Sequence, residues 1–134
     1  MKKSEKNKEI IFTVKTETVK DFFARGKQVA AMLDKGEKIA PQKIISFEDS
    51  NDLIKFISKT RLMLLAAIRK SPDSISHLAH RLHRSRSAID KDVQLLEEVG
   101  IVKSEYMANP GHGRCRIIRA ADSKPIRLQV ETVI

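Results

Sequence analysis

One stretch in the second half of the chain decides the fold, and it reads Ile75-Ser-His-Leu-Ala-His-Arg-Leu-His-Arg-Ser-Arg-Ser-Ala-Ile-Asp-Lys-Asp-Val-Gln-Leu-Leu-Glu-Glu-Val-Gly-Ile-Val102. Its apolar residues recur at helical spacing in two runs, which are Ile75, Leu78, Ala79 and Leu82, then Ile89, Val93, Leu96 and Val99. Only His83-Arg84-Ser85 separates the two runs, so the chain has room there for a sharp corner and nothing longer. The stretch therefore predicts two helices joined by a tight turn.

Single positions around the turn support this prediction. Ser85 is placed as the N-cap of the second helix, where its hydroxyl can accept from an unpaired backbone N–H. Gly100 follows the last periodic residue, where a helix ends most easily in the left-handed conformation. In this geometry the first helix supports the second, which presents polar residues outward and is predicted to read DNA. The alternative is a helical hairpin that only packs.

The stretch resembles the winged helix-turn-helix regulators of prokaryotes, of the general ArsR and MarR type. It matches their pattern ISELAxxLGxSRSTVSxHLxxLEExGLV along almost its full length. His83 stands where that pattern has a glycine, and histidine tolerates the positive φ that such a turn requires. The resemblance implies a transcriptional regulator that binds DNA, most simply as a repressor.

A wider set of positions resembles a family of small predicted DNA-binding proteins, some of which are antitoxins paired with toxins. The matching residues are Ser46, Phe47, Glu48, Leu53, Phe56, Ile57, Arg61, Leu62, Leu64, Leu65, Ile68, Ser74, Ile75, Leu78, Ala79 and Leu82. His77 replaces the glutamate that this family often has, which weakens a capping box with Ser74. This second resemblance implies a toxin or another protein as a partner.

The residues after the helix-turn-helix predict a β-hairpin. Residues 101–107 and 115–119 have the composition of strands, and the Ala108-Asn-Pro-Gly-His-Gly113 segment between them is a strong turn signal. Two strands and a basic loop after a recognition helix form a β-wing, here over residues 101–119. Its candidate phosphate or minor-groove contacts are His112, Arg114 and Arg116. A plain hairpin with solvated arginines is the alternative.

The recognition helix is predicted over residues 86–99, with Ile89, Val93 and Leu96 facing inward. Arg86 is the best candidate for base reading, because a guanidinium can bond guanine O6 and N7 together. The candidate DNA-binding residues of this region are Arg84, Ser85, Arg86, Ser87, Asp90, Lys91 and Gln94. The alternative for Arg86 is a solvated charge without a role.

The other members of this set have separate expected roles. Arg84 and Lys91 are assigned to phosphates, and Gln94 to adenine. Asp90 and Asp92 are unusual on a helix that enters a groove lined by phosphates. Each is expected to accept from cytosine N4 or to orient a neighbouring cation.

No metal, cofactor or catalytic site is predicted. His77, His80 and His83 repeat every third residue, but one helix cannot easily converge three such rings on a zinc ion. Cys115 is the only cysteine, which excludes an intrachain disulfide. It is a candidate oxidation sensor beside two arginines, with a small residue in a strand as the simpler explanation. Because no catalytic motif is present either, we predict a binding protein and not an enzyme.

The rest of the chain predicts an N-terminal extension and a final strand. Residues 10–14 and 43–47 have the composition of strands, and Thr18 precedes an amphipathic helix. The apolar face of this helix carries Val19, Phe22, Phe23, Ala30 and Leu33. The unit is too small to bury that face alone, so it must pack on the winged domain, a second copy or another protein. Alternation over residues 126–131 predicts a half-buried strand beside the N-terminal strands.

The predicted fold class is α+β, with a winged helix-turn-helix domain at residues 48–119. A disordered basic tail at residues 1–8 and a strand–helix–strand extension at 9–47, for dimerisation or partner binding, precede it. A C-terminal strand at residues 120–134 follows it. The 134-residue chain carries a net charge of +9, which suits a polyanionic partner. We expect a cytoplasmic protein without a membrane partner, because no apolar run approaches a membrane span and the N-terminus lacks a signal core.

Three functions remain open at this point. The first is a homodimeric repressor that reads a palindromic site in double-stranded DNA. The second is an antitoxin or adaptor that binds a partner protein through its N-terminal unit or final strand. The third is a nucleic-acid binder without sequence preference, which only the net charge supports.

Overall fold

The computed structural model describes residues 9–38, 42–109, 111 and 113–133, and the predicted tail at residues 1–8 lies outside these ranges. The elements are β1 (Ile10–Thr16), α1 (Val19–Asp34), β2 (Gln42–Phe47), α2 (Ser50–Phe56), α3 (Lys59–Lys70), α4 (Ile75–Leu82), α5 (Arg86–Glu98), β3 (Val102–Asn109), β4 (Gly113–Ala120) and β5 (Ile126–Glu131). They form two compact units. Unit 1 comprises the described residues up to Phe56 and from Lys124 onward, and unit 2 comprises Ile57–Ser123. None of the helices in the described ranges is long and apolar enough to cross a lipid bilayer.

Unit 1 is built on a three-stranded parallel sheet in the order β2-β1-β5. Its core lies on one face of the sheet, where Phe12 and Val14 of β1 and Leu53 of α2 are buried. The rings of Phe47 and Phe56, with centroids 5.5 Å apart, join the end of β2 to the end of α2. The short helix α2 therefore covers the β1–β2 side of this face.

Helix α1 begins as predicted, because the Thr18 hydroxyl accepts a hydrogen bond from the Asp21 N–H. None of its 16 residues is buried. The predicted apolar face is exposed, with Val19, Phe22, Phe23 and Leu33 among the exposed large side chains. The core face of the sheet is covered by α2 instead, so the described residues of unit 1 leave the α1 face uncovered. The winged domain, a second copy and another protein all stay predictions for the partner of this face.

The prediction that the C-terminal strand lies beside the N-terminal strands is confirmed, because β5 pairs with β1 in parallel. Its predicted half-burial is wrong: Leu128 and Val130 are 39% and 48% exposed. The reason is position, since β5 is an edge strand and α2 contacts β1 and β2.

Unit 2 consists of α3, α4 and α5 followed by the antiparallel β3–β4 hairpin. The Ile118 N–H donates to the Asp73 carbonyl at 2.9 Å, which attaches the segment between α3 and α4 to the hairpin. The buried core is formed by Leu64, Ile68, Leu78, Ala79, Ile89, Val93, Leu96, Ile101, Val102 and Ile118. Three helices and a hairpin in this order, with that extra bridge, define a winged helix-turn-helix, so the predicted α+β fold class is confirmed.

The predicted residues Ser74, His83 and Ser85 form helix ends in unit 2, and Ser58 adds a further N-cap. The hydroxyls of Ser58, Ser74 and Ser85 accept from the N–H groups three residues later, which caps α3, α4 and α5. His83 lies in the left-handed region with φ 54° and ψ 44°, as expected for the residue that replaces the turn glycine. Gly100 has φ 80° and follows α5. The recognition helix ends at Glu98 rather than at residue 99.

The two units differ in their boundaries from the predicted domains. Helix α2 falls inside the range 48–119 predicted for the winged domain, but it belongs to unit 1, where Leu53 is buried and Phe56 contacts Phe47 of β2. Residues 120–123, which we expected with the C-terminal strand, belong to unit 2. There the Ala121 N–H donates to the Ile101 carbonyl at 2.9 Å.

Candidate nucleic-acid interface

The first turn of α5 presents polar side chains to solvent while the opposite side of the helix is buried. Arg86, Ser87, Lys91 and Gln94 are exposed, and Ile89 and Val93 are fully buried. Arg86 and Lys91 make no ion pair with any residue that the structure describes, so their charges are available to a ligand. Ser85 has a different role, because its hydroxyl accepts from the Ala88 N–H and caps the helix.

An open groove of about 840 Å³ lies beside this turn, and we call it the α5–wing groove. Residues from three elements line it: Arg86, Ser87 and Asp90 of α5, Arg114, Cys115 and Arg116 of β4, and Ser74, Ile75, Ser76 and His77 at the start of α4. The fold thus brings residues predicted on the recognition helix together with residues predicted on the wing. The contribution of α4 was missed, and its only signal in the sequence was the N-cap at Ser74. His112, the remaining wing candidate, lies outside the described residues.

Asp92 does not face the groove, which corrects the role expected for it. Its side chain is buried, and the residue is 6% exposed. Its Oδ1 accepts from Nε of Arg61 at 2.9 Å, and its Oδ2 lies 2.9 Å from Nη1 of Arg84 in an ion pair. Arg61 belongs to α3 and Arg84 to the turn, so one carboxylate joins α3, the turn and α5. The Arg84 guanidinium, assigned to a phosphate above, is directed at this carboxylate.

Arg116 connects the wing to the recognition helix. Its Nη2 lies 2.5 Å from Oε1 of Glu97, and its Nε donates to the Ser104 hydroxyl at 2.9 Å. Its Nη1 is 3.6 Å from Oδ1 of Asp90. Asp90 therefore has Arg116 as its cationic partner, and not the cations of its own helix that we had expected. Two carboxylates already balance the charge of Arg116, which leaves it a weaker phosphate ligand than the sequence indicated.

Arg114 is an exposed cation of the wing. Its guanidinium lies over the ring of Tyr106, 5.4 Å from the centroid, in a cation–π contact. Such a contact restrains the side chain and leaves the edges of the guanidinium open for hydrogen bonds. Tyr106 is a further residue that the sequence analysis missed, although the β3–β4 register places it opposite Arg116 and two residues from the partner of Arg114.

A second cluster surrounds Asp73, at the base of α4. Its Oδ1 lies 2.8 Å from Nδ1 of His77 and accepts from the Ser74 N–H at 2.8 Å, and Arg81 is 3.7 Å from its other oxygen. Burial raises the pKa of Asp73, but the hydrogen bonds from His77 and Ser74 outweigh it and lower the pKa below the ordinary value of 3.8. His77 is thus a partner of Asp73. No three potential ligands are grouped around a metal position in the described ranges.

The chain is similar to a protein-family model described as HVO_A0114, which matches residues 56–113, less than half of the chain. The matched part covers α3, α4, α5 and the first strand of the wing. No curated protein matches the sequence.

Solved structures with a similar arrangement include transcriptional regulators. A possible transcriptional regulator from Methanosarcina mazei is 22% identical with a TM-score of 0.44, over 57% of this chain and 68% of that one. A homodimeric winged helix-turn-helix DNA-binding domain from Mycobacterium bovis is 17% identical with a TM-score of 0.42, over 71% of each chain. A MarR-like regulator from Thermotoga maritima is 14% identical with a TM-score of 0.40, over 76% of this chain and 65% of that one. The assignment of unit 2 to the winged helix-turn-helix class rests on its own element order and contacts.

Proposed function

We propose that the protein is a transcription regulator that binds specific sequences of double-stranded DNA as a dimer, most simply as a repressor, and that it is not an enzyme. The α5–wing groove carries this proposal, because Arg86 and Ser87 of the exposed first turn of α5 line the same groove as Arg114 of the wing. A helix of this kind enters the major groove of DNA, and a wing follows the backbone or the minor groove.

The proposed roles follow from which side chains are available. Arg86 reads a guanine, and Ser87 and Gln94 contact the bases or sugars that follow. Lys91 of α5 and Arg114 of the wing hold phosphates, and His112 keeps the wing role that its sequence position gave it. A second set holds the first in place: Ser85 caps α5, Arg84 and Asp92 join the turn to α3, and Arg116 joins the wing to Asp90 and Glu97.

A dimer is part of the proposal, because one recognition helix reads too few bases for specificity in a genome. The two half-sites would lie about one turn of the DNA apart. Unit 1 is the proposed source of the dimer contact, since residues 9–47 and β5 carry the exposed apolar side chains described above.

The first test is selection of a binding site from a pool of random duplexes, followed by fluorescence anisotropy at near-physiological salt. We expect the selected duplex to bind about 10³-fold more tightly than its scrambled sequence. Arg86→Ala is expected to cost about 1–3 kcal/mol and to relax the preference at one base pair, because it removes a bidentate contact.

Lys27→Ala is the matched control for Arg86→Ala, because it removes the same charge from an exposed position on α1. It should leave the base preference unchanged. Undiminished discrimination in Arg86→Ala would contradict the role given to this residue. Equal binding of both duplexes, falling steeply with salt, would mean that net charge alone acts and would contradict sequence-specific regulation.

A second candidate function is that of an antitoxin or adaptor whose main role is to bind a partner protein. The observation that favours it is the exposed face of α1, where the rings of Phe22 and Phe23 make an edge contact at 5.6 Å and no residue of the helix is buried. An amphipathic helix of this kind fits an apolar groove in a partner.

The test is co-expression with the product of an adjoining small gene, if it has the size of a toxin. We expect Phe23→Asp to abolish co-purification and to leave the fold of unit 2 unchanged, because Phe23 lies outside unit 2. Gln28→Asp, at another exposed position of α1, is the control. Co-purification that survives Phe23→Asp would contradict this use of α1.

A further inference from the structure

We propose that two copies of the chain pair through β5, edge to edge and antiparallel, about a twofold axis at Gln129. The result would be a continuous six-stranded sheet made of two copies of unit 1. This inference deepens the proposed function, on whose dimer it rests, by naming the contact that forms the dimer.

The outer edge of β5 is available for pairing. Within the described part of the chain, β5 pairs with β1 alone, and β1 is the central strand. The Ile10 N–H donates to the Pro125 carbonyl at 2.9 Å, in register with Ile126. In a parallel ladder with this register, the odd-numbered residues of β5 donate their N–H groups to β1. The N–H groups of Ile126, Leu128 and Val130 therefore point outward, away from β1. Such a row of unpaired groups is a template for another strand.

The same strand exposes apolar side chains on the core face of the sheet. The register places Leu128 beside Phe12 and Val130 beside Val14, which are both buried. Leu128 and Val130 themselves are 39% and 48% exposed. A strand added at this edge would extend the core face and cover both side chains.

Symmetry limits the registers that two copies of β5 can adopt. Directly opposed residues of an antiparallel pair point to the same face of the sheet. The twofold axis must therefore set one residue opposite its own copy, and it cannot lie midway between two successive residues of the strand. The central choices are Leu128, Gln129 and Val130. Each choice sets a different residue of the second copy opposite Arg127.

Charge and apolar contact both select the axis at Gln129. There Arg127 lies opposite Glu131 of the second copy, and Leu128 lies opposite Val130 of the second copy, each twice by symmetry. An axis at Leu128 would place Arg127 opposite Gln129, and an axis at Val130 would place it opposite Val133. Opposite charges and paired apolar side chains across two strands both stabilise a sheet.

The other contacts of unit 1 are compatible with this pairing. Within one copy, Arg127 already forms an ion pair with Glu9, and the carboxylate of Glu131 lies 3.7 Å from Nζ of Lys15. Both of these pairs are at the surface. Pro125 stands just before the strand, where its missing N–H costs no ladder bond. The opposite edge, β2, is a poorer candidate because Lys43 is its only charged residue, so two copies of it would offer no ion pair.

Cysteine cross-linking of the full-length protein tests the axis directly. In a Cys115→Ser background, which removes the native thiol, the variants Gln129→Cys, Leu128→Cys and Val130→Cys are oxidised separately without DNA. At the proposed axis the two copies of residue 129 form a non-hydrogen-bonded pair with Cα atoms about 4.5 Å apart, within the range of a disulfide. Two copies of residue 128 or of residue 130 are diagonal neighbours, about 7–8 Å apart, and are too distant.

We expect the Gln129→Cys variant to form a covalent dimer at least about tenfold faster than the other two. Fastest cross-linking at residue 128 or 130 would overturn the proposed register. A monomer by light scattering at about 50 µM, well above ordinary dimer dissociation constants, would overturn the pairing itself. Because no DNA is present, cross-linking can succeed while the duplex assay fails, or the reverse, so the two proposals fail separately.

Charge reversal gives an independent readout. Arg127→Glu alone places like charges opposite each other, and we expect it to weaken the dimer about tenfold in sedimentation. Adding Glu131→Arg restores opposite charges between the copies, but it does not restore the contacts with Glu9 and Lys15 within each copy. Recovery of the dimer in the double variant therefore supports the contact between copies. A double variant as weak as Arg127→Glu would overturn it.

Discussion

Asp92 shows how one buried carboxylate can determine the role of two arginines. A buried charge is tolerated when its partners lie close, and here Arg61 and Arg84 both approach to 2.9 Å. The arrangement orders the turn and α5 against α3. Arg84 is thereby a positioning residue, and Arg86, two residues later, remains available at the surface.

We expect Asp92→Asn to lower the free energy of unfolding by about 2–3 kcal/mol, because it leaves two guanidinium groups without their counter-charge. The cost is below that of a fully buried pair because both arginines are partly exposed. Urea unfolding at neutral pH measures it. Asp90→Asn is the matched control on the same helix: its pair with Arg116 spans 3.6 Å near the surface and should contribute under about 1 kcal/mol. Equal stability of the two variants would contradict this account.

At the scale of helices and strands, the features that depend on neighbours in sequence were predictable. The caps at Ser74 and Ser85 and the left-handed turn at His83 are contacts over three or four residues, and sequence analysis placed each of them. The burial of Asp92 was not predictable, because Arg61 lies 31 residues away and only packing brings the two together. Which helix covers the core face of the sheet was not predictable for a similar reason, because α1 and α2 both carry apolar residues and only their packing on the sheet selects α2.

The candidate site was predictable to the same degree. Arg86 and Arg114 were selected from the sequence, and the fold brings them to one groove. Arg116 was selected on equal grounds, but Glu97, Asp90 and Ser104 hold its guanidinium. Which arginine of a strand meets the carboxylates of a helix depends on how the hairpin packs on that helix, and composition does not contain that information.

An ion pair that responds to acid joins α1 to the end of β1. Arg25 of α1 donates to the nearly buried carboxylate of Glu17 after β1, and this hydrogen bond, opposed by burial, lowers the pKa of Glu17 below its ordinary value of 4.5. Since the pKa is lowered in the folded state, the stabilisation is fully present above 4.5 and is lost as the pH falls through the lowered value.

We therefore expect wild type and Glu17→Gln to differ in unfolding free energy at neutral pH and to converge in acid, below 4.5. Urea unfolding over a pH series measures the gap between the two proteins. Glu37→Gln, at an exposed position after α1, should show no such convergence. A gap between wild type and Glu17→Gln that stays constant into acid would mean that the carboxylate contributes through packing and not through its charge.

For the whole molecule, the net charge of +9 is larger than the positive charge that a polyanion can contact. Arg84 and Arg116 are balanced by Asp92, Asp90 and Glu97, while Arg86 and Arg114 are exposed. The salt dependence of DNA binding counts the phosphates neutralised and not the formal charge. The exposed cations of α5 and the wing should therefore determine how steeply DNA binding falls with salt.

The strand order of unit 1 has a consequence for how the protein is made. The central strand β1 needs β5 as its neighbour, yet all of unit 2 is translated between them. A ribosome adding about 5–20 residues per second needs on the order of several seconds to cross unit 2. Unit 2 is then complete while β1 still has an open side, and pairing between distant segments is slow in any case. Newly made chains should thus acquire the winged domain first and close the parallel sheet last.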